Sequence, residues 1–208
     1  MQIFPRSLNK LPLVAAVAGG IVTTGLVFGI WYYLSPKNLV VGYQPQQPVP
    51  YSHRLHVGQL GLDCRYCHSN IEKAAKAMIP ATQTCMGCHS LVKTESAKLA
   101  NVRKSWETGL PVEWVQVHRL PDHAYFDHSA HLAAGVGCVT CHGRIDQMEV
   151  VRQEQPLSMG WCLECHRNPE PNLRPKGEIT NMEWKADPAH PFEPPKVNPP
   201  QQCSGCHR

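Results

Sequence analysis

Five copies of Cys-x-x-Cys-His take up all ten cysteines of this 208-residue chain. They are Cys64-Arg-Tyr-Cys67-His68, Cys85-Met-Gly-Cys88-His89, Cys138-Val-Thr-Cys141-His142, Cys162-Leu-Glu-Cys165-His166 and Cys203-Ser-Gly-Cys206-His207. This is the spacing of covalent c-type haem attachment. Two thioethers hold the porphyrin edge, and the adjacent histidine reaches the iron. Structural zinc also uses Cys pairs and His. Five pairs, however, do not group into four-cysteine sites, and zinc does not require a histidine after every second cysteine. Local disulfides or a redox-active thiol pair leave the five histidines unexplained. The pattern therefore predicts five covalently bound haem c groups. Cys64, Cys67, Cys85, Cys88, Cys138, Cys141, Cys162, Cys165, Cys203 and Cys206 form the thioethers, and His68, His89, His142, His166 and His207 are the proximal iron ligands.

Composition agrees with a core that is not made of side chains. Aromatic residues are 7% of the chain and prolines number 19. The 156 residues from 53 to 208 leave about 31 per motif, so haem would supply most of the interior and the apo chain would be largely unfolded. The expected fold is mostly irregular with short α-helices. The formal charge of +4 would become 4 − 10 = −6 with ten ionised propionates, many of them paired with Arg and Lys. No basic run or aromatic-basic interleaving points to nucleic acid, and none is expected as a partner.

Residues 13–34 read LVAAVAGGIVTTGLVFGIWYYL, 22 residues without a charge. That is long enough to cross a bilayer, and Trp31, Tyr32 and Tyr33 close it as an interfacial belt. Arg6 and Lys10 precede it, which places residues 1–12 in the cytoplasm and the haem motifs on the periplasmic, outer side of a bacterial cytoplasmic membrane. The stretch exceeds a usual signal-peptide core and lacks a clean cleavage site, so a single-pass, uncleaved anchor in contact with lipid is expected. Gly25-Leu-Val-Phe-Gly29 would let a partner helix approach closely.

Residues 35–52 carry Pro36, Pro45, Pro48 and Pro50 among several glutamines and read as a semi-rigid spacer. The haem domain then spans 53–208 and contains a duplication. Tyr51-Ser-His53-Arg-Leu-His56 precedes two motifs, and Phe126-Asp-His128-Ser-Ala-His131 precedes the next two. The haem-pair repeats are 53–89 and 128–166, separated by a connector at 90–127. A tail at 167–208, broken by nine prolines before the fifth motif, follows. Residues 71–78 (IEKAAKAM) are strong helix formers, and a second helix is expected within 91–108, ended by Gly109 and Pro111.

Five low-spin haems need five distal ligands. In a helical HxxH the two rings lie about one turn apart and can serve two different haems. His53, His56, His128 and His131 are expected in that role. His118, just before the second repeat, is the favoured fifth ligand, with Met148 and Met159 as alternatives that would raise the potential. His123 and His190 read as surface or supporting residues. A reductase with one open iron position is the competing class, but spare histidines exceed five and no motif departs from Cys-x-x-Cys-His.

The HxxH-before-CxxCH pattern resembles the cytochrome c3/c7 class. The strings Ile79-Pro-Ala-Thr-Gln-Thr-Cys85-Met-Gly-Cys88-His89-Ser, His118-Arg-Leu-Pro-Asp-His-Ala-Tyr-Phe126-Asp-His128-Ser-Ala-His131 and Pro156-Leu-Ser-Met159-Gly-Trp-Cys162-Leu-Glu-Cys165-His166-Arg resemble the pentahaem cytochrome c subunit of bacterial alternative complex III. The resemblance implies an electron-transfer subunit of a quinol-oxidising respiratory or photosynthetic complex. It would take electrons from an integral-membrane quinol-oxidising subunit and an iron–sulfur subunit. It would pass them to a monohaem cytochrome c, a copper protein or an oxidase, without itself being the catalytic site. The runner-up is a stand-alone membrane quinol dehydrogenase of the NapC/NrfH type feeding a periplasmic reductase; such proteins usually carry four haems.

Overall fold

The computed structural model describes residues 5–207; residues 1–4 of the expected cytoplasmic segment and Arg208 of the tail lie outside them. The chain divides into two compact units, residues 1–40 and 41–208. No β-strand occurs among the described residues, only three isolated bridges.

The first unit is one long helix with a short extension. A 3-10 turn at Arg6–Lys10 leads into α1, Leu11–Tyr33. Pro12 is tolerated at its start, where the missing N–H would have no helical partner. Apolar residues run around the whole circumference, and nothing in the unit covers them. The helical stretch Ser7–Tyr33 has a mean hydropathy of 2.1 and is long and apolar enough to cross a bilayer. Val22, Gly25, Leu26, Gly29 and Tyr33 line a shallow groove along it. The turn α2, Pro36–Leu39, follows.

The second unit takes in most of the expected spacer. Gly42 N–H donates to Gln153 O (2.7 Å), and Gln153 N–H donates back to Tyr43 O (3.0 Å). The Gln47 side chain both donates to Val115 O (2.9 Å) and accepts from Val115 N–H (3.0 Å). Glutamine amides satisfy backbone that prolines leave without a regular ladder. Residues 41–52 are therefore part of the outer unit, while Pro36–Leu39 belongs to the first.

Each Cys-x-x-Cys-His copy is a helical turn: α3 (Cys64–Cys67), α4 (Thr82–His89), α7 (Cys138–His142), α8 (Met159–Arg167) and α9 (Cys203–Cys206). The two HxxH segments are also helical. The first is a π-helical turn, Arg54–Gln59, entered from His53; the second is α6, His128–Ala134. The π-turn packs on a 3-10 turn at Ile145–Gln147. Gly58 permits this, since a Cβ there would lie 2.5 Å from Asp146 O.

One helix expectation is corrected, and the other is met by a shorter helix within its range. Residues 71–78 form turns rather than a helix. The segment's last carbonyls meet histidines: Ala75 O accepts from His128 N–H (3.1 Å), and Met78 O faces His68 Nδ1 (2.9 Å). Ring placement overrides local propensity here. Within 91–108 only Ala97–Leu99 (3-10) and α5, Ala100–Thr108, are helical. Arg103 ties down the preceding loop by donating to Thr94 O (2.7 Å) and Ser96 O (2.9 Å). Gly109, at φ +72°, ends α5 as expected. Among the described residues the tail holds short 3-10 turns and the single helical turn α9.

The side-chain core is thin. Val49, Val102, Leu132, Met148, Leu173, Ile179 and Met182 are buried, and among the described residues no large side chain is completely shielded. The area rule for hydrophobic stabilisation leaves little to hold 168 residues together by side chains alone.

Candidate haem-binding centre

In each motif one helical turn sets both sulfurs on the same face, three residues apart. Asp63 caps α3 by accepting from Arg65 N–H (2.8 Å), and Ser158 caps α8 by accepting from Trp161 N–H (3.3 Å). All ten cysteines are free. Among the described residues no three His, Cys, Asp or Glu side chains converge on one point.

The histidines form pairs with a consistent spacing. With metal–nitrogen bonds of about 2.0 Å and ring nitrogens about 1.1 Å from the ring centre, two imidazoles across one iron stand about 6.2 Å apart. His56 and His89 are 6.2 Å apart, His131 and His166 6.0 Å, His128 and His142 6.4 Å, and His123 and His207 5.5 Å. His53 is half-buried, with His68 and His56 among its titratable neighbours.

Aromatic residues hold both HxxH segments in the same way. Tyr51 stacks on His56 (4.4 Å between ring centres) and meets His53 edge-on (4.8 Å). Phe126 stacks on His131 (4.4 Å) and meets His128 edge-on (4.7 Å). Sequence reading placed both in the duplication without giving them a role; an aromatic two residues before each HxxH was the available signal.

Most rings present Nδ1 to a backbone carbonyl, which leaves Nε2 for a metal. His56 uses Ser52 O (2.8 Å), His68 Met78 O (2.9 Å), His89 Val92 O (2.9 Å) and His128 Ala75 O (2.8 Å). His131 uses Asp127 O (2.6 Å), His166 Pro200 O (2.7 Å) and His207 His123 O (3.0 Å). Burial holds His142 down to about 3 and His53 down to about 4, with neighbouring imidazoles adding to both shifts. Burial likewise lowers His131 and His118. These rings are neutral at ordinary pH, the form that ligates iron.

The remaining candidates are placed as follows. His118 lies edge-on against His142, 4.5 Å between centres and at 80°, too close for an iron between them. Met148 is 6% exposed in the side-chain core, and its carbonyl accepts from Arg54 N–H (3.0 Å). Met159 is 66% exposed at the start of α8. His190 pairs with Asp187 on the surface (3.0 Å). His123, read from the sequence as a supporting residue, is the ring that faces His207. No sequence signal separated it from His118.

The cysteines give the order of the motifs in space. Cys64 and Cys138 share a hydrogen bond, which pushes the Cys64 thiol up and lowers that of Cys138. Burial, with Cys85, Cys64 and Cys88 nearby, raises Cys67. Burial raises Cys141 to about 11, with help from Cys165 and Cys162. Cys162 is raised by burial and by Cys206. As thioethers these sulfurs carry no proton, so what persists is their adjacency: second motif to first, first to third, third to fourth, fourth to fifth.

Four buried side-chain nitrogens have no partner among the described residues, His53 Nδ1, His118 Nε2, His142 Nδ1 and Arg174 Nε, and the last is placed for a carboxylate of a haem. Arg174 is 8% exposed, donates to Asn181 O (2.9 Å), and lies over the Trp184 ring (5.2 Å). Its guanidinium presses against Gly137, next to Cys138, where a Cβ would collide. A buried guanidinium with an idle donor suits a carboxylate such as a propionate.

Two comparisons with known proteins agree with this geometry. Residues 49–104 and 124–208 match the family described as cytochrome c7 and related cytochrome c. The chain is also 35% identical to the menaquinone reductase multiheme cytochrome c subunit of Nitratidesulfovibrio vulgaris, over 71% of this chain and 78% of that one. The paired imidazoles, the single-turn motifs and these matches together establish that the chain belongs to the cytochrome c7 and related cytochrome c family, as a multihaem c-type cytochrome.

Proposed function

We propose that this chain is the membrane-anchored, five-haem electron-transfer subunit of a quinol-linked membrane complex of the alternative complex III type. The observation that carries the reading is that four motif histidines each have a second imidazole across from them, at ring separations of 5.5–6.4 Å. When bound, each haem supplies a one-electron iron couple. The protein's own part is to fix ten histidines and bring the attachment sites into one file.

The ligand pairs in this reading are His68 with His53, His89 with His56, His142 with His128, His166 with His131, and His207 with His123. Each HxxH thus spans two sites, and the Cys64–Cys138 and Cys162–Cys206 neighbourhoods join the remaining gaps. The file runs second, first, third, fourth, fifth, so the second and fifth motifs are its ends and the exchange points with partners. Arg174 receives a propionate. Residues 13–34 anchor the chain, with residues 1–12 in the cytoplasm and 53–208 outside, and the Gly25–Gly29 groove takes a helix of the integral-membrane partner. An iron–sulfur subunit and a monohaem cytochrome c or other outer acceptor stand at the two ends of the route.

The similarity to a menaquinone reductase subunit supports a second direction, in which electrons enter from an outer donor and reach quinone. Purification of the membrane complex, identification of its subunits, and stopped-flow haem reduction by menaquinol decide between them. Reduction by quinol in the complex but not by the isolated chain supports the first reading. Haems that reduce only from a soluble donor, followed by quinone reduction, support the second. Rapid reduction of the isolated chain by quinol would point to a stand-alone quinol dehydrogenase and reject both.

A further inference from the structure

We infer that Pro200 and Gln201 are positioning residues of the fourth haem site, held in place by Gly205 of the fifth motif, so that the fifth motif helps to set the reduction potential of the fourth haem. The inference rests on the reading of His166 as proximal ligand of that haem.

The chain just after the fourth motif does not serve the His166 ring. In the second motif the carbonyl three residues past the histidine, Val92 O, meets His89 Nδ1 at 2.9 Å. The equivalent carbonyl in the fourth motif is Pro169 O, and it accepts from Asn172 N–H (2.9 Å) in the 3-10 turn at Glu170–Asn172. Glu170 O likewise accepts from Leu173 N–H (3.1 Å). The acceptor comes instead from 34 residues away, where Pro200 O lies 2.7 Å from His166 Nδ1. Gln201, the next residue, donates from its side chain to His166 O (3.2 Å). Two consecutive residues thus hold both the ring and the backbone of one ligand. With Nε2 turned to iron, Nδ1–H donates and Pro200 O accepts.

The fifth motif fixes where Pro200 stands. The Pro200 ring lies against Gly205 in the turn Cys203–Cys206, and a Cβ on Gly205 would come 2.5 Å from Pro200 Cβ and 3.2 Å from its Cγ. Gly205 N–H donates to Gln202 O (3.0 Å), which closes the chain between them. Pro199 precedes Pro200, so the stretch has little rotational freedom with which to absorb a displacement. A push at Gly205 therefore passes to Pro200 O. The carbonyls facing His68 and His89 come from Met78 and Val92, within ten residues of each ring, and that facing His207 comes from His123. Of these rings only His166 depends on the segment that leads into another motif. A hydrogen bond from Nδ1 makes a ligating imidazole a stronger donor and so favours ferric iron. Loosening the Pro200 contact weakens that donation and raises the potential of the fourth haem.

The test uses the full, haem-loaded chain. Gly205→Ala pushes on Pro200, and Gln201→Met removes the donor to His166 O from outside the motif. Ser204→Ala changes the same motif without adding bulk. In a redox titration Gly205→Ala is expected to keep five haems and to move one of five components to higher potential. Gln201→Met moves the same component in the same direction by less, and Ser204→Ala moves none. In reduced, diamagnetic protein labelled with 15N-histidine, the His166 ring N–H is expected to exchange with solvent about tenfold faster in Gly205→Ala than in wild type, the size of one net hydrogen bond. The His68 and His89 ring N–H groups keep their rates. Five unmoved components, five that move together, or different components moved by Gly205→Ala and Gln201→Met would overturn the inference; so would an unchanged exchange rate at His166. If Gly205→Ala loses the fifth haem, Gln201→Met decides alone, a moved component supporting the inference and five unmoved ones overturning it. A His166 ring that shows no iron-ligated signal in the wild-type protein would instead defeat the underlying reading.

Discussion

The two halves of the duplication reach the same ring geometry from different backbones. In residues 51–89 the HxxH is a π-helical turn, and both motif histidines find their carbonyls nearby, at Met78 and Val92. In residues 126–166 the HxxH is a regular α-helix, but His142 leans on another imidazole, and His166 relies on Pro200, 34 residues away. What the copies share is an aromatic stacked on the second histidine at 4.4 Å. The ring positions are the invariant, and helix type and carbonyl source adjust to them. This is what a domain organised around large prosthetic groups requires: ligand directions are demanding, while backbone that only carries ligands is free to vary.

The comparison predicts graded outcomes. The largest effect is removal of haem. Chain produced without haem attachment should lose cooperative unfolding and hydrogen-exchange protection in both halves, because the buried side-chain core is thin. Protection surviving in one half alone would show that half to be independent of its haems.

Next are the aromatic clamps. Tyr51→Ala and Phe126→Ala should each destabilise the haem-loaded protein by about 2–3 kcal/mol in denaturant titrations, from lost area and ring contact. Tyr51→Phe, which makes the first copy like the second, should cost less than about 1 kcal/mol. A silent Tyr51→Ala beside a damaging Phe126→Ala would break the equivalence.

The glycines behind each HxxH come third. Gly58→Ala meets Asp146 O at 2.5 Å in the first half, and Gly135→Ala meets Arg174 O at 2.8 Å in the second, with φ +98° in addition. Each should cost about 1–2 kcal/mol, Gly135→Ala the more, as read by thermal melts.

The smallest effect separates the halves by pH. Asp63 caps the first motif, whereas Gly137 stands at the same place before the third. Hydrogen bonds from the Arg65 side chain, with help from the Arg65 backbone and Thr180, hold the Asp63 carboxyl at about 2. A depressed acid stabilises the fold above its unfolded value of about 3.8 and loses that contribution as pH falls toward about 2. Asp63 is 42% exposed, so screening limits the term to less than about 1 kcal/mol. Asp63→Ala should therefore be slightly less stable at pH 7, and the gap should narrow from about pH 4 to pH 2 in melts of both proteins.

The motifs, the duplication and the apolar helix were legible in the sequence because each is a local pattern. The motif turns are complete within five residues, and the HxxH spacing needs only one helical turn. The fate of 71–78 was not legible. Its composition favours a helix, but the turns it forms instead bring Met78 O to His68 and Ala75 O to His128, 53 residues away. The same limit applies to His118 and His123. They lie five residues apart in one connector, and the fold sends one to His142 and the other to His207. Arg174 is unreadable for a similar reason, since its burial depends on Gly137 across the chain.

The acceptor for His166 has a consequence for biogenesis. Pro200 O, which steadies that ring, lies 34 residues downstream of it, and the fifth motif leans back on His123 and Tyr125. The fourth site is therefore steadied only once the segment leading into the fifth has been made. A nascent polypeptide would finish its first two centres before the fourth ring had its acceptor.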